Sequence, residues 1–167
     1  ALARLNQEQP SANGRMLVAG DGAPRRYRRL ARQLGVADRI EFLGGRSDVS
    51  ELMGAADLLV HPARTEAGGA VLLEALVAGL TVITTGCCGH SHHTEAARAG
   101  IVLAEPFEQT ALDTALLRCV DGVYRAECRR SAELYARLTD LYSMHQQAAK
   151  LIQTLLHHRQ LRGKPGA

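Results

Sequence analysis

Two carboxylates, Glu66 and Glu74, stand in the stretch EAGGAVLLEALVAGL (66–80), which is otherwise apolar and glycine-rich. Gly68 and Gly69 fall where a loop runs into the helical pattern AVLLEALVAG, and glycine lets a ligand approach the backbone closely. The unpaired N–H groups and positive dipole of a helix start favour a phosphate. A carboxylate beside a phosphate is repelled by it, so each glutamate is better suited to accept hydrogen bonds from hydroxyls flanking the phosphate. A diphosphate between two sugars has that layout, with Glu74 on a ribose diol and Glu66 on the second sugar. Spacing leaves a plainer reading equally open, in which Glu66 is a cap or surface residue and Glu74 pairs with an arginine.

Three further stretches carry chemistry-bearing residues. GDGAP (20–24) lacks the third glycine of a dinucleotide fingerprint, and Pro24 already begins a helix. It reads as a turn beside a ligand or as a plain strand-to-helix turn. CCGHSHH (87–93) offers five metal-ligating side chains, yet structural zinc sites bring two spaced pairs together and no second cluster exists. It is read as a polar loop at a ligand crevice, with no metal expected and His92 near the ligand. His61, before Pro62, reads as structural. RRYRRLAR (25–32) is explained by a solvated helix face, with attraction to an anionic membrane surface as the alternative.

These residues need a scaffold, and the apolar pattern supplies one. Candidate strands are RMLVAG (15–20), RIEFLG (39–44), DLLVHP (57–62), TVITT (81–85) and GIVLA (100–104). Helical stretches lie between them near 24–35, 48–55, 69–79 and 91–99. Continuous apolar runs predict strands covered on both faces, and the repeated alternation predicts a doubly wound, Rossmann-like parallel α/β sheet. After residue 105 the pattern is helical only, to about 121, then 123–138 and 143–160. In such a sheet ligands bind where strand ends lead into helices. The four loops there are 20–24, 44–48, 61–70 and 86–93, which hold nearly all the residues singled out above.

Composition narrows the class. The 167 residues are 46% hydrophobic with a net charge of +3. Two Phe, four Tyr and no Trp leave few platforms for stacking single-stranded nucleic acid, so none is expected as a partner. Four cysteines without a C-x-x-C pair do not suggest a disulfide scaffold, and a reducing cytoplasm is the expected compartment. The opening ALARLNQEQP lacks the apolar run of a secretory leader. Residues 67–88 imitate a membrane span, but Glu74 lies inside them and would cost about 2.5 to 3.5 kcal/mol in a bilayer. The run also breaks at Gly79 before the β-branched TVITT, which predicts helix then strand.

The order of these motifs resembles one family. E-x7-E from Glu66 to Glu74 followed by ALVAG, the V-x-G-D-G-like turn at Val18–Gly22, and LGVADRIEFLGGRSDVSELMGAADLLVHP are similar to retaining GT-B glycosyltransferases of family 4. The match covers roughly residues 15 to 120. Within the family, EAGGAVLLEA and the cysteine–glycine pair of CCGHSHH look most like the branch that glucosylates the lipopolysaccharide core of Gram-negative bacteria. The broader family carries an aromatic residue at the position of Gly68 and proline at that of Thr81. The first departure suits the lipopolysaccharide branch.

The resemblance implies roles residue by residue. Glu66 matches the motif glutamate on the donor sugar and is the catalytic candidate. Gly68, Gly69, Ala70 and Val71 match the backbone that touches sugar and diphosphate. Glu74 matches the ribose ligand, Arg46 falls where the loop holds uracil, and Gly20 lies in the turn beside the donor. The implied reaction is hexosyl transfer with retention, from UDP-glucose to the inner-core heptose, by front-face displacement in which the leaving diphosphate helps accept the proton. It requires no protein nucleophile and no cofactor. Implied domains are a nucleotide-sugar-binding unit at 1–140, a C-terminal helix at 141–160 and a tail at 161–167. The acceptor domain, and the Arg and Lys that the family supplies to the diphosphate, are expected to precede residue 1, leaving the chain alone inactive. The implied location is the cytoplasm, peripheral on the inner membrane. The alternatives are a non-catalytic nucleotide-binding module and, less favoured, a Cys/His metal protein.

Overall fold

The computed structural model describes residues 1–143 and 146–154. Helix α1 (Leu2–Glu8) comes first, then β1 (Met16–Ala19), α2 (Pro24–Gln33), β2 (Ile40–Gly44), α3 (Val49–Ala55) and β3 (Leu58–His61). There follow α4 (Ala70–Val77), β4 (Thr81–Thr85), α5 (Ser91–Ala96), β5 (Gly100–Leu103), α6 (Gln109–Cys119) and α7 (Gly122–Leu138). All five expected strands form, and residues 146–154 are helical within the segment expected as helix at 143–160. The remainder of that segment's far end and the tail lie outside the described residues.

Every strand pairing is parallel, but the hydrogen-bonded ladder falls into two parts, β1–β2 and β3–β4–β5. Packing joins them. Met16 of β1, Ile40 of β2, Leu58 and Val60 of β3 and Ile83 of β4 share one apolar cluster with α1, α2 and α6. Leu59 and Val82, one step along their strands, point into a second cluster with α3, α4 and α7. This alternation is the two-residue period of a strand, and it places helices on both faces of the sheet.

Coverage on both faces holds fully only at β4, where all five residues are buried. In β1 burial alternates, in β2 no residue is fully buried, and Leu17 is 53% exposed. The expectation of continuous burial is therefore corrected at this edge. Helix α2 follows β1, but its arginines leave Ala31 as its one buried residue, and so polar a helix cannot cover an apolar strand face. Helix α1 was not expected. Its Leu2 and Leu5 are buried in the cluster shared with α6, an amphipathic signal of two residues and too short to stand out.

Candidate functional site

The carboxyl ends of β3 and β4 lie side by side, and the loops leaving them are stitched together by strand residues. The Thr84 hydroxyl donates to the His61 carbonyl at 3.1 Å, and the Thr85 hydroxyl donates to that of Ala63 at 2.6 Å. Cys87 Sγ reaches the same Ala63 oxygen at 3.1 Å. Further out, Glu66 and Cys88 form an isolated parallel bridge, and the His90 N–H donates to Gly68 O at 2.9 Å. Buried hydroxyls satisfied in this way fix a loop that lacks regular structure of its own. Sequence reasoning took TVITT for a strand by its β-branching and missed this second use of its threonines.

The stitched loop delivers the chain into α4. Gly69 is its N-cap, with φ +81° and ψ 48°, a left-handed conformation that favours glycine. No side chain caps this helix start, and the N–H groups of Ala70 and Val71 precede the first one bonded back, that of Leu72 on Gly69 O. Glu66 lies just before it, with Oε1 3.3 Å from the Gly68 N–H and Oε2 3.8 Å from His61 Nε2. Glu74 is the fifth residue of α4 and is exposed, with no arginine in an ion pair with it among the described residues. The sequence context had suggested apolar surroundings for both glutamates. The structure corrects this: α4 turns Leu72, Leu73, Ala75 and Leu76 to the core and leaves Glu74 to solvent, while Glu66 is half-buried.

The other expected residues sit at the ends of β1 and β2. The Gly20 N–H donates to Gly44 O at 2.8 Å, closing that strand pair, and the Asp21 carboxylate leans over Gly45. Arg46 is clasped by Asp48, with Nε 2.7 Å from Oδ1 and NH2 on Oδ2. The guanidinium's hydrogen bonds hold the Asp48 carboxyl below the usual carboxylate range, outweighing the opposing effect of burial. No hydrogen bond or ion pair among the described residues links Gly20 or Arg46 to Glu66 or Glu74.

In the loop 86–93 the rings of His90, His92 and His93 gather, the closest pair with centroids 4.1 Å apart. His93 Nδ1 is 2.8 Å from the Tyr135 hydroxyl of α7. Burial, followed by the charges of His92 and His90, lowers the His93 pKa below its ordinary value. His92 Nδ1 is spent on Gly89 O at 3.0 Å. Among the described residues no group of three or more His, Cys, Asp or Glu is placed to hold a metal ion. Arg64, which sequence reasoning passed over, lies over the Phe107 ring at 3.7 Å and ties the β3 loop to the segment after β5.

A two-faced parallel α/β sheet with its open loops at the strand ends, and a bare helix start flanked by two glutamates, is the Rossmann-like half of a GT-B architecture. The chain belongs to the family described as Glycosyl transferases group 1, which residues 1–139 match. It is 46% identical over 153 residues to the lipopolysaccharide glucosyltransferase WaaG of Escherichia coli K12, covering 91% of this chain and 41% of that protein. The crystal structure of WaaG superposes with a TM-score of 0.85 at 45% identity, over 90% of this chain and 41% of that one. D-inositol 3-phosphate glycosyltransferase of Corynebacterium glutamicum is 30% identical over 86% of this chain and 38% of its own. Anabaena Alr3699/HepE, solved in complex with UDP-glucose, shares the fold at 20% identity, with a TM-score of 0.71 over 92% of this chain and 52% of that one. The chain thus spans about two fifths of the length of these two curated relatives.

Proposed function

We propose that this chain is the donor-binding part of a retaining glycosyltransferase that moves glucose from UDP-glucose to the inner-core heptose of lipopolysaccharide. The uncapped start of α4, with Glu66 before it and the solvent-exposed Glu74 inside it, carries the reading. Anionic phosphate meets N–H groups there, and the carboxylates are set for hydroxyls on either side. The lipopolysaccharide glucosyltransferase activity of WaaG supports glucose as the sugar and lipopolysaccharide as the acceptor class, and the UDP-glucose complex of the Anabaena protein supports the donor class. In this reading Glu74 holds the ribose diol, Glu66 the transferred sugar, and residues 68–71 the diphosphate through backbone. Arg46 keeps a free guanidinium edge for uracil while Asp48 occupies the other, and Gly20 closes the turn beside the donor. The nucleotide-sugar unit is residues 1–140, and the lipopolysaccharide acceptor binds outside it.

Calorimetric titration of the chain with UDP and a panel of nucleotide sugars tests this directly. UDP and UDP-glucose should bind, and a chain that prefers NAD would overturn the reading. Glu66→Gln separates the two ends of the ligand. UDP affinity should stay within about twofold, while UDP-glucose should weaken about five- to tenfold, the scale of exchanging a charge-assisted hydrogen bond for a neutral one. Equal weakening of both would put Glu66 at the wrong end.

Peripheral contact with an anionic membrane is part of the same proposal and rests on α2. Arg25, Arg26, Arg28, Arg29 and Arg32 line one open surface hollow, and none forms an ion pair among the described residues. Tyr27, Leu30 and Leu34 are exposed beside them. No helix among the described residues is long and apolar enough to cross a membrane. Co-sedimentation with vesicles containing phosphatidylglycerol should show salt-sensitive binding, weakened about fivefold by Arg29→Ser, since one cation near such a surface contributes about 1 kcal/mol. Binding indifferent to salt and to this substitution would remove α2 from the membrane contact.

A further inference from the structure

We propose that His61 is a positioning residue for Glu66, its Nε2–H donating to Glu66 Oε2 and so aiming the carboxylate at the donor sugar. The inference rests on the donor-site reading and adds a residue to it. His61 Nε2 is shielded from solvent and has no hydrogen-bond partner among the described residues, although the ring as a whole is 30% exposed. Buried polar atoms left alone are uncommon and each needs an explanation. Here the explanation is close by: Glu66 Oε2 lies 3.8 Å away, just beyond hydrogen-bond reach.

The two partners differ in how firmly they are held. His61 is the last residue of β3, in register with Thr84, whose hydroxyl also holds the His61 carbonyl. Glu66 stands in the loop, and its Oε1 contact with the Gly68 N–H is long, at 3.3 Å. The glutamate is therefore the partner that moves, and a small rotation of its side chain closes the gap to His61. With Oε1 on Gly68 and Oε2 on His61, the plane of the carboxylate is set from the protein side. Each oxygen keeps a lone pair for a ligand hydroxyl. A neutral imidazole carries one N–H, and this pairing places it on Nε2. A loop carboxylate supported from a rigid strand end is held more closely than one supported by its loop alone.

The test compares the wild-type chain with His61→Leu and His61→Gln by calorimetry against UDP and UDP-glucose. Gln places its amide N–H near the position of Nε2, whereas Leu keeps bulk without a donor. UDP should bind all three within about twofold. UDP-glucose should weaken about fivefold in His61→Leu and recover in His61→Gln, on the scale of coupling between contacting residues. On a Glu66→Ala background, which removes the acceptor, His61→Leu should add nothing more. Equal loss for UDP and UDP-glucose, or unchanged UDP-glucose affinity in His61→Leu, would overturn the role. Long-range ¹H–¹⁵N spectra of the ligand-free chain give a second readout. Glu66→Gln should shift the His61 Nε2 resonance, and an unmoved resonance would also overturn the pairing. A wild-type chain that binds no UDP-sugar would overturn the donor-site reading itself, and the spectra would then still decide whether the pair exists.

Discussion

Replacing Glu74 with alanine is expected to weaken UDP binding about ten- to 150-fold, because hydrogen bonds to a charged acceptor contribute about 1.5 to 3 kcal/mol. The reasoning starts from position. Glu74 lies just over one turn into α4, on the side turned away from Leu72, Ala75 and Leu76. It has no ion-pair partner among the described residues, and it is exposed to solvent. Alanine is also the strongest helix former, so the fold should tolerate the change and the melting temperature should stay nearly constant. Calorimetry with UDP measures the loss, and a thermal melt of the same sample confirms that the protein is folded. Unchanged UDP affinity in a folded variant would remove Glu74 from the ribose.

Gly100→Ala is expected to destabilise the chain by about 3 kcal/mol or more, the upper range for forcing atoms into a packed interior. Gly100 opens β5 and lies opposite Val82 in the ladder. A Cβ there would sit 1.8 Å from the Val82 carbonyl oxygen and 2.7 Å from its nitrogen. Both atoms are backbone of β4, the central strand of its ladder and buried throughout. A flexible side chain swings aside, whereas a central strand moves only by breaking its pairings with β3 and β5. For a chain of this size the melting temperature should fall by roughly 6–12 °C. Circular dichroism at 222 nm during heating checks it, and a melt unchanged to about 2 °C would show that β5 seats itself some other way.

The amino-acid sequence by itself determined the elements and the loops that matter. TVITT reads as β4 at its full extent because β-branched residues between turn signals leave few alternatives. The helix at 70–77 was legible from its apolar run, and the loops at 61–70 and 86–93 from glycine and polar residues at strand ends. Their order along the chain was enough to mark the family that residues 1–139 match. A helix of seven residues such as α1 carries too little pattern to be seen, and its burial depends on α6, more than a hundred residues away.

Tertiary structure alone decided what surrounds each charged group. Glu74 sits among apolar letters in the sequence, yet lies in solvent, because a helix packed along one face turns its neighbours inward and leaves every third or fourth residue out. The uncovered face of β1 follows from an arginine-rich α2 that cannot pay the cost of burying its charges. The threonines of β4 show the same limit, since a hydroxyl in a strand says nothing about the carbonyl it will meet. His61 and Glu66 are five residues apart, and only the packed loop sets a buried nitrogen 3.8 Å from a carboxylate oxygen. Periodicity along a chain encodes which face of an element is apolar. Distances between polar atoms of different elements arise only when those faces have met.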